Sequence, residues 1–137
     1  MTVSSQKIAG VIILLFGSIL LIADLALVRS FWGSIPISAW FMYLIWYAII
    51  ICAYGMIMSG GMVLTNESKW GSGLALIGGI IVATIGAIEL AIMIGMMINA
   101  GPFPPLEVVT MLIDFTIHFT LLGVIIIIGA TIGKRTD

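Results

Sequence analysis

SGLALIGGIIVATIGAIELAIMIGMMI, residues 72–98, is the stretch that decides the fold. Glu89 is its only charged residue. The stretch is longer than the ~20 apolar residues that an α-helix needs to cross the ~30 Å hydrocarbon core of a bilayer. It therefore predicts a transmembrane helix.

Three similar apolar runs accompany it, and with it they cover residues 8–28, 39–64, 72–98 and 108–132. Charged residues make up 8% of the chain and hydrophobic ones 62%, whereas about 25% of a soluble domain is charged. We predict an all-α integral membrane protein: residues 1–137 form a single transmembrane domain, a four-helix transmembrane bundle with up-down-up-down connectivity. The short connections leave no room for a soluble catalytic domain or for a nucleic-acid surface.

Positive residues predict the orientation of the bundle. If both termini are cytoplasmic, Lys7, Lys69, Lys134 and Arg135 lie inside and only Arg29 lies outside. This distribution agrees with the excess of Lys and Arg that cytoplasmic loops carry. We therefore expect a multi-pass protein of the cell membrane with both termini cytoplasmic.

Small residues predict how the helices pack. In the third run they recur every four positions: Ala75, Gly79, Ala83, Ala87, Ala91 and Gly95. Helices in lipid associate through close backbone approach at such residues, so we expect this helix to pack against a neighbour along its whole length. Gly55 and Gly60 predict another close crossing on the second helix.

Four ionisable residues lie inside the apolar runs: Asp24, Glu89, Asp114 and His118. A charge at a helix centre costs roughly 2.5–3.5 kcal/mol on insertion scales, so each group needs a partner or a role. Counting ~1.5 Å per residue from the outer helix ends places Glu89 and His118 level, at ~14 and ~15 Å. Asp24, at ~6 Å, is shallower, and we expect it to reach Arg29 or the headgroups.

These groups fit more than one role. Glu89, Asp114 and His118 can pair with each other and fix the helix geometry. Carboxylate–histidine chains also form proton or cation paths in membranes. A metal or quinone site is the third alternative, in which His118 with Met93 and Met97 would be the metal ligands. No residue pattern requires a cofactor.

Two classes of function follow. The first is a small non-catalytic subunit that packs into and stabilises a larger membrane complex of the respiratory or metal-oxidase type. The alternative is an oligomeric carrier or channel for protons, cations or a small solute, built on Glu89, Asp114 and His118. In both, the chain alone is not an enzyme. The expected partners are the lipid bilayer and either other membrane subunits or further copies of the chain, with no nucleic acid.

Overall fold

A computed structural model describes residues 4–31, 37–99, 101 and 120–135, and nearly all of these residues are helical. These residues contain no strand. The helices are α1 (Ser5–Phe31), α2 (Trp40–Thr65), α3 (Trp70–Asn99) and α4 (Leu122–Arg135), with a short 3-10 turn at Ile37–Ala39 before α2. The all-helical prediction is therefore confirmed for the described residues.

Three of the helices are long and apolar enough to cross a membrane. These candidate spans are Ser5–Ala23 in α1 and the whole of α2 and α3. α4 is a shorter apolar helix and covers the C-terminal part of the predicted run 108–132. The helices also extend beyond the apolar runs. α1, for example, starts at Ser5 instead of Ile8 and ends at Phe31 instead of Val28.

Each helix packs on two neighbours. α1 and α3 each contact both α2 and α4. Neighbouring helices run antiparallel, because residues later in one helix contact residues earlier in the next. Gly10 lies against Gly61, for example, and Gly17 lies against Ile57. We call the end of the assembly that contains Ser5, Thr65, Trp70 and Arg135 the turn end. The opposite end, with Phe31, Trp40 and Asn99, is the far end.

Near the turn end, glycines bring the backbones into contact. A β-carbon built on Gly60 would lie 2.5 Å from the carbonyl oxygen of Gly71 and 2.6 Å from the amide nitrogen of Ala75. One built on Gly10 would lie 2.7 Å from the amide nitrogen of Thr65. Side chains at either position would force the helices apart, so these crossings depend on glycine.

The buried core fills the half of the assembly next to the turn end. Its innermost large side chains are Ile13, Leu20, Ile57, Leu64, Val82 and Ile126, all less than 2% exposed. The core ends at the level of Leu20, Ile50, Ile85 and Leu122; between that level and the far end, none of the large apolar side chains that the structure describes is buried. The core therefore stops about halfway along α2 and α3.

A tight turn joins α2 to α3. The Glu67 N–H donates to the Leu64 carbonyl at 2.9 Å, and the Ser68 N–H donates to the Val63 carbonyl at 3.2 Å. Glu67 has a φ of 63°. This is the Schellman arrangement, with a glutamate at the left-handed position that glycine usually takes. Glu67 also pairs with Lys7 of α1, at 3.7 Å between Oε1 and Nζ.

Candidate functional site

The predicted polar site falls on parts of the chain that the structure describes unequally. Asp114 and His118 lie outside the described residues. Asp24 and Glu89 lie within α1 and α3, where the backbone is described and their side chains are not. The same holds for Met93, whereas Met97 is partly exposed on α3.

The position of Asp24 continues the buried face of α1. That face contains Gln6, Ile13, Gly17 and Leu20, all of them buried. Asp24 follows Leu20 by four residues, and at ~100° per residue it lies within about 20° of Ile13 around the helix axis. It is therefore the next position on the core-facing row.

α1 continues past the apolar run and ends at Phe31 instead of Val28. Asp24 therefore lies about 10 Å from the end of its helix, at ~1.5 Å per residue. Its depth of ~6 Å, which was counted from the end of the apolar run, stays a prediction.

Glu89 occupies the equivalent position on α3. Gly78, Val82 and Ile85 form part of the buried face of this helix. Glu89 comes four residues after Ile85 and lies within about 20° of both Gly78 and Val82 around the axis. On both α1 and α3, the core-facing row of residues therefore continues toward the far end with an acidic residue, Asp24 in α1 and Glu89 in α3.

Two described hydroxyl groups within the helices donate to carbonyls of their own helix. The Ser18 hydroxyl donates to the Leu14 carbonyl at 2.7 Å, and the Thr131 hydroxyl to the Ile127 carbonyl at 2.8 Å. The Thr120 hydroxyl is buried just before α4, and no described residue hydrogen bonds with it. Nor does the described part of the chain hold a group of three or more His, Cys, Asp or Glu side chains.

The six small residues of α3 do not share one neighbour among the described residues. Ala75 is buried against Gly60 of α2, whereas Gly79 and Ala83 lie against α4. Ala87 and Ala91 are exposed, and a β-carbon on Gly95 would meet nothing within 4 Å. A four-residue step turns ~400°, so the ladder advances ~40° per step and winds about 200° around the helix over its length.

Ala87 and Ala91 belong to an outward-facing groove. The groove has a volume of about 460 Å³ and is lined by Ile80, Ala83, Thr84, Ala87, Ile88 and Ala91 of α3, together with Ile127 of α4. By helix geometry Ala87 lies about 160° from Glu89, so the groove and the acid occupy opposite faces of α3.

Several crossing glycines escaped the sequence reasoning, among them Gly10 of α1 and Gly123 of α4, which meets Ala83. Gly10 and Gly17 are seven residues apart, two helical turns on one face, and this spacing would have indicated the α1 crossing. Conversely, Gly55 was predicted at a crossing, yet a β-carbon there would meet nothing within 4 Å.

Comparison of the chain with protein-family models, with curated proteins and with solved structures finds no match. What the protein does has to be inferred from its residues and their packing.

Proposed function

We propose that the chain is a four-helix integral protein of the cell membrane, with up-down-up-down connectivity and both termini cytoplasmic. Three candidate spans and the antiparallel contacts between neighbouring helices support this architecture. Lys7, Lys69 and Lys134 all lie at the turn end, as the positive-inside distribution requires. The fourth helix would run over 108–132, with α4 as its cytoplasmic part.

We further propose that the protein is a non-catalytic subunit that stabilises a larger membrane complex, of the respiratory or metal-oxidase type. The observation that carries this is the groove on α3. It opens outward beside α4, and Ala83, Ala87 and Ala91 are among its lining residues. Lipid chains gain nothing special from alanines, whereas a partner helix can approach them closely and gain packing and weak hydrogen bonds.

A photo-crosslinking experiment in native membranes tests this role. Cys52→Ala removes the single cysteine, and Ala87→Cys then carries a thiol-reactive benzophenone. The matched control is Ile92→Cys, which is 59% exposed on the same helix and lies about 140° away from Ala87. We expect Ala87→Cys to crosslink to a protein of another mass and Ile92→Cys to crosslink mainly to lipid.

Two results would count against the subunit role. A crosslink from Ala87→Cys to a second copy of the chain would favour the oligomeric carrier. Equal and weak crosslinking from both positions would mean that the groove faces only lipid, and the docking proposal would fail.

The alternative, a homo-oligomeric carrier or channel for protons, cations or a small solute, is favoured by the core-facing rows. Asp24 and Glu89 continue those rows, and counting back from Leu122 by four residues gives His118 and then Asp114. If the fourth helix runs without a break from 108 to 132, extending the Gly129–Ile13 contact by eleven residues on both helices would bring His118 to the level of Asp24. Extending the Gly123–Ala83 contact by five residues would bring His118 to the level of Ile88 and Glu89.

Proton uptake into proteoliposomes tests the alternative. If the acids and His118 form a relay, Glu89→Gln and His118→Ala should each lower uptake at least tenfold, since a relay is broken by one missing group. Ser18→Ala is the control, because the Ser18 hydroxyl bonds only within its own helix turn. Unchanged uptake together with lowered thermal stability would leave these groups a purely structural role.

A further inference from the structure

A second groove lies at the turn end, on the outer side of α1. It has a volume of about 450 Å³ and is lined by Lys7, Ile8, Val11 and Ile12 of α1 and by Thr65 of α2. Ile8 is 50% and Val11 57% exposed, so the groove opens sideways from the helix assembly. Its walls are apolar over about one and a half helical turns, and its one charged group, Lys7, stands at the turn end.

The charge around the mouth of this groove is positive. The Lys7 ammonium is paired with Glu67 at 3.7 Å, and both side chains are half exposed, so the pair is open to a further ligand. Lys69 and Lys134 are exposed at the same end. Among the described residues of this end, 4–12, 60–75 and 126–135, Glu67 is the single acid. An anion at the mouth would therefore meet an excess of cations.

We propose that this groove binds an acyl chain of an anionic phospholipid, with the lipid phosphate against Lys7. An anionic phospholipid matches both features of the groove. Its phosphate can pair with the Lys7 ammonium at the turn end, and its acyl chain can lie against the apolar wall formed by Ile8, Val11 and Ile12. Basic pockets between transmembrane helices on the cytoplasmic side recognise anionic headgroups in this way. The inference rests on the membrane location and is independent of the subunit role.

The lining favours a lipid chain over a protein helix. Close helix docking uses small residues, and this wall instead presents the branched side chains of Ile8, Val11 and Ile12. The Thr65 hydroxyl donates to the Met62 carbonyl at 2.6 Å, so it adds little polarity to the groove. A flexible acyl chain can follow such an uneven wall.

Native mass spectrometry of the full chain in neutral detergent tests the proposal. Phosphatidylglycerol and phosphatidylcholine with the same acyl chains are titrated, and bound lipids are counted. We expect Lys7→Gln to weaken phosphatidylglycerol binding about fivefold, the effect of one cation near a headgroup, and to leave phosphatidylcholine unchanged. Lys69→Gln, at the same end but outside the groove, should change either affinity less than about twofold.

The apolar wall is tested separately. Val11→Trp fills the groove at an exposed position and should weaken both lipids, as should Ile8→Ser if the tryptophan variant does not fold. Equal phosphatidylglycerol binding by the native chain and Lys7→Gln would overturn the proposal. So would displacement of the lipid by millimolar inorganic phosphate, which would indicate a free-anion site. Loss of a dimer peak in Val11→Trp, without loss of lipid, would assign the groove to a second copy.

Discussion

At the turn end the helices meet backbone to backbone, whereas toward the far end none of the large apolar side chains that the structure describes is buried. Gly60, Gly10 and Gly123 each approach a neighbouring helix so closely that a β-carbon would collide or nearly so. On the far half of α3, Ile88, Ile92 and Ile94 are 46%, 59% and 45% exposed. In α3 both halves consist mainly of apolar residues. The comparison teaches that hydrophobicity keeps this chain in the bilayer, while the placement of small residues decides where its helices join.

The largest difference between the halves should appear when a large side chain is removed. Ile57 is fully buried in α2 and touches the glycines of two neighbouring helices, Gly17 and Gly78. Ile57→Ala should lower the free energy of unfolding by about 2–5 kcal/mol, through lost contacts and a residual cavity. Ile92→Ala, at an exposed site on α3, should cost less than about 1 kcal/mol. Denaturant titration in micelles measures both; equal losses would erase the distinction between the halves.

A smaller effect should follow from adding one methyl group at a crossing. Gly60→Ala inserts a β-carbon against the α3 backbone and should cost about 1–3 kcal/mol, because backbone atoms cannot swing aside. Gly55→Ala, five residues away on the same helix, meets no atom within 4 Å and should be neutral or slightly stabilising. The thermal midpoint in detergent distinguishes the two variants. A neutral Gly60→Ala would show that the α2–α3 crossing tolerates separation.

The smallest effects should come from the loops at the two ends. Gly101, toward the far end, has a φ of 88°, so Gly101→Ala should cost about 1 kcal/mol. At the turn end Glu67 already holds a positive φ, and Glu67→Gly should gain up to about 0.5 kcal/mol. The relief of backbone strain at position 67 should outweigh the loss of the exposed Glu67–Lys7 ion pair. Chemical denaturation of both variants checks the opposite signs; a destabilised Glu67→Gly would mean that the pair with Lys7 matters more.

Apolar run length was enough to predict the helical class and the centres of α1, α2 and α3. Run length predicted the helix ends less well. Hydropathy shows which residues favour lipid, whereas the backbone of a helix can continue into polar residues beyond the apolar run. Ser5, Gln6 and Lys7 are helical although they precede the apolar run, and so are Arg29 and Ser30 after it.

The pattern of small residues was informative only over part of α3. A strict four-residue repeat drifts around the helix, so Ala75 and Ala83 meet different neighbours while Ala91 is exposed. Which of several glycines marks a crossing also depends on helix tilt, as the contrast between Gly55 and Gly60 shows. Tilt results from all the contacts together and cannot be obtained from spacing along one helix. Whether Glu89, Asp114 and His118 meet stays a prediction for the same reason.

The short link between α2 and α3 has a consequence for how the protein is made. The two helices are joined so tightly that they must enter the bilayer as one hairpin, and Gly60 meets Gly71 close beside the link. This contact closes a very short loop, so it forms quickly and at little entropic cost. The contact of Ala9 with Gly133 joins α1 to α4 and has to wait until α4 has been synthesised. Biogenesis should therefore proceed from the hairpin outward, with α1 and α4 closing around it last.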